Sequence, residues 1–169
     1  MEEQKTQIRL VQYDQEVRQA TDLIMGFWKA HSQYDQSFEE ANQDLAHWTA
    51  PGHAFYFIVK DGETVGFVHL GNRGASIDWL EDLFVLPDFQ NQGIGTKAVE
   101  LVETMVREYS DSLYIEAAAR NEAAIRLYRR LGFNCLNTIS MRKDFHEDDF
   151  DVIRTETVYD CEFQIRKRK

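Results

Sequence analysis

The run Val85-Leu86-Pro87-Asp88-Phe89-Gln90-Asn91-Gln92-Gly93-Ile94-Gly95-Thr96 lies between an apolar, strand-like segment and the most regular helical pattern of the chain. Gly93 and Gly95 let the backbone turn with no Cβ in the way. The first N–H groups of the helix that follows have no partners within it and sit at the positive end of its dipole. Such a turn is suited to an anion, a pyrophosphate for example. A Gly-x-Gly at a helix start also serves plain packing. The run is not the dinucleotide fingerprint, because Ala98 stands where a third glycine would, and it lacks the Gly-Lys-Ser/Thr of a P-loop.

The charges are unevenly placed. The 169 residues hold 19 basic and 29 acidic side chains, a formal charge of −10, which argues against a nucleic-acid binder. Residues 31–82 carry nine acidic and two basic residues, net −7, and residues 120–143 carry six basic and one acidic, net +5. Two blocks of opposite sign suit two ligand ends of opposite sign; two solvated faces are the plainer reading. No apolar run is long enough to span a membrane, and Met1 to Lys5 lead into no apolar leader region, so a soluble, cytoplasmic protein is expected.

The positioning elements follow from periodicity. Ile8–Tyr13 reads as a strand. Val17, Ala20, Leu23, Ile24 and Phe27 mark a helix over 15–30, and Ser37 with Glu40 forms a capping-box signature for a helix over 38–48. Ala54–Lys60 and Thr64–Leu70 flank the hairpin dipeptide Asp61-Gly62. A long strand is expected over Ser76–Leu86, a helix over 92–109, a short buried strand over Leu113–Ala117, and a helix over 122–131 capped by Asn121 and ended by Gly132. Phe133–Met141 reads as one or two further strands. Antiparallel strands joined to βαβ units predict an α/β fold with a mixed sheet and helices on its faces.

With the elements placed, Gln90-x-x-Gly93-x-Gly95 resembles the pyrophosphate loop of the GCN5-related N-acetyltransferase (GNAT) superfamily. Leu83 to Pro87 looks like that family's splayed fourth strand, and Asn121 to Phe133 resembles its second cofactor motif. The resemblance covers residues 7–143 and is sharpest over 78–133. It implies acetyl-CoA as cofactor and a mostly antiparallel sheet whose fourth and fifth strands splay apart. It further implies that the backbone of Phe84 and Val85 holds the pantetheine arm and acetyl carbonyl. Amides of Gln90, Asn91, Gln92, Gly93, Ile94, Gly95 and Thr96 would hold the pyrophosphate, Asn121 the pantetheine arm, and Arg126 and Arg129 the 3′-phosphate. Tyr128 would protonate the leaving sulfur as general acid.

An ammonium cannot attack a thioester, so a base is needed. Glu81, four residues before Val85 where many family members place theirs, is the first choice. Asp82 and a water chain are the alternatives, and pairing of Glu81 with an arginine is its structural reading. Alternation along the strand puts Trp79, Glu81, Leu83 and Val85 on one face and Asp82 on the other. The family's acceptor pocket maps onto Phe27, Trp28, His31, Tyr34, Asp35, Phe38, Trp48, Trp79, Glu81 and Asp82, within and beside the acidic block. Aromatic rings and carboxylates suit a cation, so the expected partner is a small-molecule amine such as a polyamine or an aminoglycoside-like antibiotic. A non-catalytic acyl-CoA sensor and a protein or peptide N-acetyltransferase are the competing functions.

The five histidines show no ligand spacing, and no metal is expected; His69 reads as a satisfied sheet histidine. Cys135 and Cys161 are expected to be buried or inert. Domain limits are drawn at 1–143 for the acetyltransferase domain and 144–169 for an extension. That extension carries one strand-like run, Val152 to Ile165, expected to pair with a sheet edge of this subunit or of a second copy, the latter giving a homodimer.

Overall fold

A computed structural model describes residues 6–169; Met1 to Lys5, on which the reading of an absent leader partly rests, lie outside the described residues. The chain forms two compact units, one ending at Glu116 and the other beginning at Ala117.

The first unit is a five-stranded sheet with three helices. In chain order it runs β1 (Ile8–Gln12), α1 (Val17–Ser32), α2 (Phe38–Trp48), β2 (His53–Lys60), β3 (Glu63–Gly71), β4 (Trp79–Val85), α3 (Ile94–Val106) and β5 (Tyr114–Ile115). Spatial order equals chain order; β1 to β4 are antiparallel and β4–β5 is parallel, with α3 as the crossover. The mixed sheet flanked by helices is as expected.

Local chemistry places the helices. Ser37 accepts from the Glu40 amide while the Glu40 carboxylate accepts from the Ser37 amide, the reciprocal box that starts α2. Asp61 and Gly62 both take positive φ, 50° and 91°, the turn that two-residue hairpins need. Ala20, Leu23, Ile24 and Phe27 of α1 and Ala41, Leu45 and Trp48 of α2 pack on Phe55, Phe57, Phe67 and Phe84 of the sheet. Phe55 and Phe67 stack with centroids 4.9 Å apart. α3 packs against β1 and β4 and buries Ile94, Ala98, Val99, Val102 and Val106. No helix among the described residues is long and apolar enough to cross a membrane.

In the second unit, α4 (Glu122–Arg130) is capped by the Asn121 side chain, and β6 (Phe150–Val158) and β7 (Cys161–Arg168) pair as a hairpin. Three expectations are corrected here. The single strand-like run from Val152 to Ile165 is divided by a tight turn at Tyr159 and Asp160, both at positive φ, so the extension pairs with itself. Residues 133–141 form no strand: Leu136 and Met141 are 77% and 70% exposed, so no apolar face is buried to fix a register. Cys135 and Cys161 are exposed rather than buried.

Candidate active site

The parallel ladder between β4 and β5 is two residues long, Trp79 with Tyr114 and Leu80 with Ile115. Beyond Leu80, the β5-facing edge of β4 from Glu81 to Val85 has no strand partner among the described residues. A stack of aromatic rings closes the paired end. Trp79 lies on Tyr114 with centroids 4.9 Å apart, and the Arg73 guanidinium sits 4.0 Å above the Trp79 ring. At the other end of β4, Gly66 makes the close packing possible, since a Cβ there would stand 2.1 Å from the Phe84 carbonyl oxygen.

The loop after β4 leads into α3. Gln90 donates from its side chain to the Val85 carbonyl at 2.9 Å, which ties the loop to the strand end. Asn91 and Gly93 take φ of 58° and 76°, and Gly93 is the N-cap of α3 with no capping side chain. The amides of the first turn therefore keep their donors free. Nothing stands within 4 Å of where a Cβ on Gly93 would be, so the approach is bare. Lys60 brings a cation to the same loop through a 2.8 Å bond to the Gln92 side chain, a contribution not visible from sequence spacing. Bare backbone, free donors and a cation fit a diphosphate. Ile94 adds only its amide, because its side chain is buried.

Bulging of β4 changes the reading of its carboxylates. His69 pairs with Asp82 and Leu70 with Leu80, so Glu81 is left without a cross-strand partner. Simple alternation therefore fails at this point, and Glu81 and Asp82 are not segregated to opposite faces. Asp82 bonds His69 at 2.7 Å, and the Glu81 charge acts on His53, which bonds His69 in turn. The Glu81 side chain passes over Gly71, where a Cβ would come within 2.8 Å of its carboxylate. Both of its oxygens accept from Arg73, at 2.9 and 2.6 Å, and Arg73 also reaches Glu116 at 2.6 Å. These bonds raise the Arg73 pKa further above an already high value.

The other expected acceptor residues divide. Trp28 donates its indole N–H to Asp44 at 2.8 Å, and Gln36 donates to the same Asp44 oxygen at 2.6 Å. No cation pairs with Asp44 among the described residues, and Oε1 of Gln36 is buried without a partner. His31 stacks on Phe27, Tyr34 bonds Glu40, and Asp35 is held by Lys29 at 2.6 Å, so these three are engaged locally. The sequence reading missed Asp44, Arg73 and His53. The signal for Asp44 was its place inside the acidic block, four residues before Trp48.

In the second unit, Tyr128 is half-buried, edge-on to Phe133 at 5.7 Å, and burial raises its pKa. Its phenol thus keeps its proton throughout the neutral range. Asn121 spends its side-chain oxygen on the Ala124 amide, Arg126 pairs with Glu122 at 2.6 Å, and Arg129 is exposed.

Residues 18–133 match the Acetyltransferase (GNAT) family. The chain is 31% identical over 108 residues to an aminoglycoside N(6′)-acetyltransferase type 1 of Stenotrophomonas maltophilia, covering 54% of this chain and 67% of that one. It is 28% identical over 109 residues to the uncharacterised N-acetyltransferase YjgM of Escherichia coli, covering 62% and 64%. The chain thus spans about two thirds of the length of these curated relatives. Among solved structures, an aminoglycoside N-acetyltransferase in complex with CoA superposes with a TM-score of 0.64 at 16% identity, over 84% of this chain and 97% of that one. Another from an uncultured soil metagenomic sample, in complex with sisomicin, gives 0.65 at 14%, over 82% and 95%. Fold and loop together define an acetyltransferase architecture with acetyl-CoA as its cofactor. The chain belongs to the Acetyltransferase (GNAT) family.

Proposed function

We propose that the chain transfers the acetyl group of acetyl-CoA directly to a primary amine of a small cationic molecule, of the polyamine or aminoglycoside kind. The observation that carries the acceptor class is Asp44. This carboxylate lies between α1 and α2, accepts among the described residues only from the neutral Trp28 and Gln36 side chains, and has the orphaned Gln36 oxygen beside it. A half-buried carboxylate with no counter-ion among the described residues is poorly compensated, and an ammonium group of the acceptor would compensate it. Two relatives named for aminoglycosides agree with this class. Bound acetyl-CoA supplies the activated acyl group. The chain supplies donors from Gly93 to Thr96 for the diphosphate, the open edge of β4 for the acyl arm, and the Tyr128 phenol as proton donor to the leaving sulfur.

A thiol-release assay with acetyl-CoA against a panel of polyamines, aminoglycosides and peptide amines tests the proposal. Turnover confined to peptide termini would instead support protein acetylation. Tight acetyl-CoA binding with no turnover on any amine would make the chain a sensor. Asp44→Asn should raise KM for a polyamine about tenfold and leave kcat and acetyl-CoA affinity near wild type. Tyr128→Phe should lower kcat about 30-fold with little change in acetyl-CoA affinity, because a general acid acts in the transition state. An unchanged kcat would remove Tyr128 from the reaction.

A further inference from the structure

Three ionisable side chains from three strands form a chain that the steps above leave unused. Asp82 Oδ2 lies 2.7 Å from His69 Nδ1, and His69 Nε2 lies 2.9 Å from His53 Nδ1. His69 is 3% exposed and lies flat on Trp48, with ring centroids 4.8 Å apart and planes at 12°. A carboxylate only accepts, so it sets the order of the protons. His69 donates from Nδ1 to Asp82, which leaves its Nε2 a lone pair, and His53 donates from Nδ1 to that lone pair. Each donor points toward Asp82, and one basic nitrogen remains, Nε2 of His53.

The groups facing His53 come from three elements: His69 of β3, His47 of α2 with ring centroids 4.7 Å away, and Glu81 of β4, itself clamped by Arg73. Burial and the two neighbouring imidazoles lower its pKa from 6.5, against an opposing pull from Glu81. Its ring is therefore neutral at pH 7. The carboxylate first expected to act as base, Glu81, has both oxygens occupied by a guanidinium.

We propose that His53 takes up the proton that the acceptor ammonium must lose, with His69 and Asp82 as positioning residues that keep its Nε2 lone pair available. This rests on the amine-acetyltransferase reading above. Across the reaction the nitrogen loses two protons as the C–N bond forms and the C–S bond breaks. One replaces the proton that Tyr128 gives to sulfur, and the other passes to Nε2 of His53 and on to solvent. The positive charge on His53 is offset through His69 by the Asp82 carboxylate.

Asp82→Asn tests the chain at nearly constant shape. Its amide would donate to Nδ1 of His69, reverse both hydrogen bonds and place a proton on Nε2 of His53. We expect kcat/KM for the amine to fall about 100-fold at pH 7, with acetyl-CoA affinity by calorimetry unchanged. Long-range ¹⁵N–¹H spectra should show His69 and His53 as Nδ1–H tautomers in the wild type and Nε2–H tautomers in Asp82→Asn. His53→Gln should abolish the wild-type loss of kcat/KM below pH 6.5. Wild-type rates and pH profile in both variants would overturn the proposal, as would Nε2–H tautomers in the wild type. A wild-type enzyme with the expected tautomers and no turnover on any amine would instead overturn the functional reading on which it rests.

Discussion

Gly66→Ala is expected to lower the melting temperature by roughly 10 °C and to weaken acetyl-CoA binding about tenfold. The added Cβ would stand 2.1 Å from the Phe84 carbonyl oxygen and 3.0 Å from Val85 Cα, both backbone atoms of β4 that cannot rotate away. β3 is already bulged beside this point, because Ile58 pairs with Gly66 and Val59 with Thr64, leaving Val65 over. The strands must therefore part. Overpacking of this kind costs about 3 kcal/mol. The displaced segment is also the open edge of β4, so damage to stability and to cofactor binding arrives together. Thermal denaturation and calorimetric titration measure the two; a melting temperature within about 2 °C of wild type would mean that β3 and β4 do not approach this closely.

Gly93→Asp is expected to separate those two effects. The position has φ of 76° and open space where its Cβ would be, so the fold should lose only about 1 kcal/mol from backbone strain. Cofactor affinity should fall at least about 100-fold, because a carboxylate would stand where the diphosphate must bind. Two unit charges 4 Å apart repel by about 4 kcal/mol at a surface-like effective dielectric, and solvent reduces this. Titration with CoA and with dephosphorylated pantetheine locates the loss: pantetheine, lacking the diphosphate, should bind both proteins equally. Equal loss for both ligands would place the diphosphate elsewhere.

Features written into consecutive residues were legible in the sequence. The Ser37–Glu40 box, the Asp61-Gly62 turn and the Gly93 start of α3 each depend on a few adjacent positions, and each appears where it was expected. Features set by pairing between distant strands were not. The bulge that frees Glu81 from alternation exists because His69 and Leu70 choose Asp82 and Leu80, and no local pattern in β4 announces that choice. Asp82, His69 and His53 meet across contacts 13 and 16 residues apart in sequence, so three unremarkable polar positions become one chain only when the register is known. Residues 133–141 show the converse. They read as one or two strands, yet apolar residues form a strand only where a neighbour completes the ladder.

The short ladder between β4 and β5 has an isotopic consequence. Past the bulge at Glu81, the amides of β4 from Asp82 to Val85 point alternately toward β3 and toward the side that β5 has left. Those facing β3 are held in an antiparallel pair, whereas those on the open side between Asp82 and Val85 have no ladder partner among the described residues. In deuterated water a single strand should therefore show protection with a period of two residues. An acyl arm laid along that edge should slow the fast set and leave the slow set unchanged, so occupancy of the cleft can be followed amide by amide with no acceptor present.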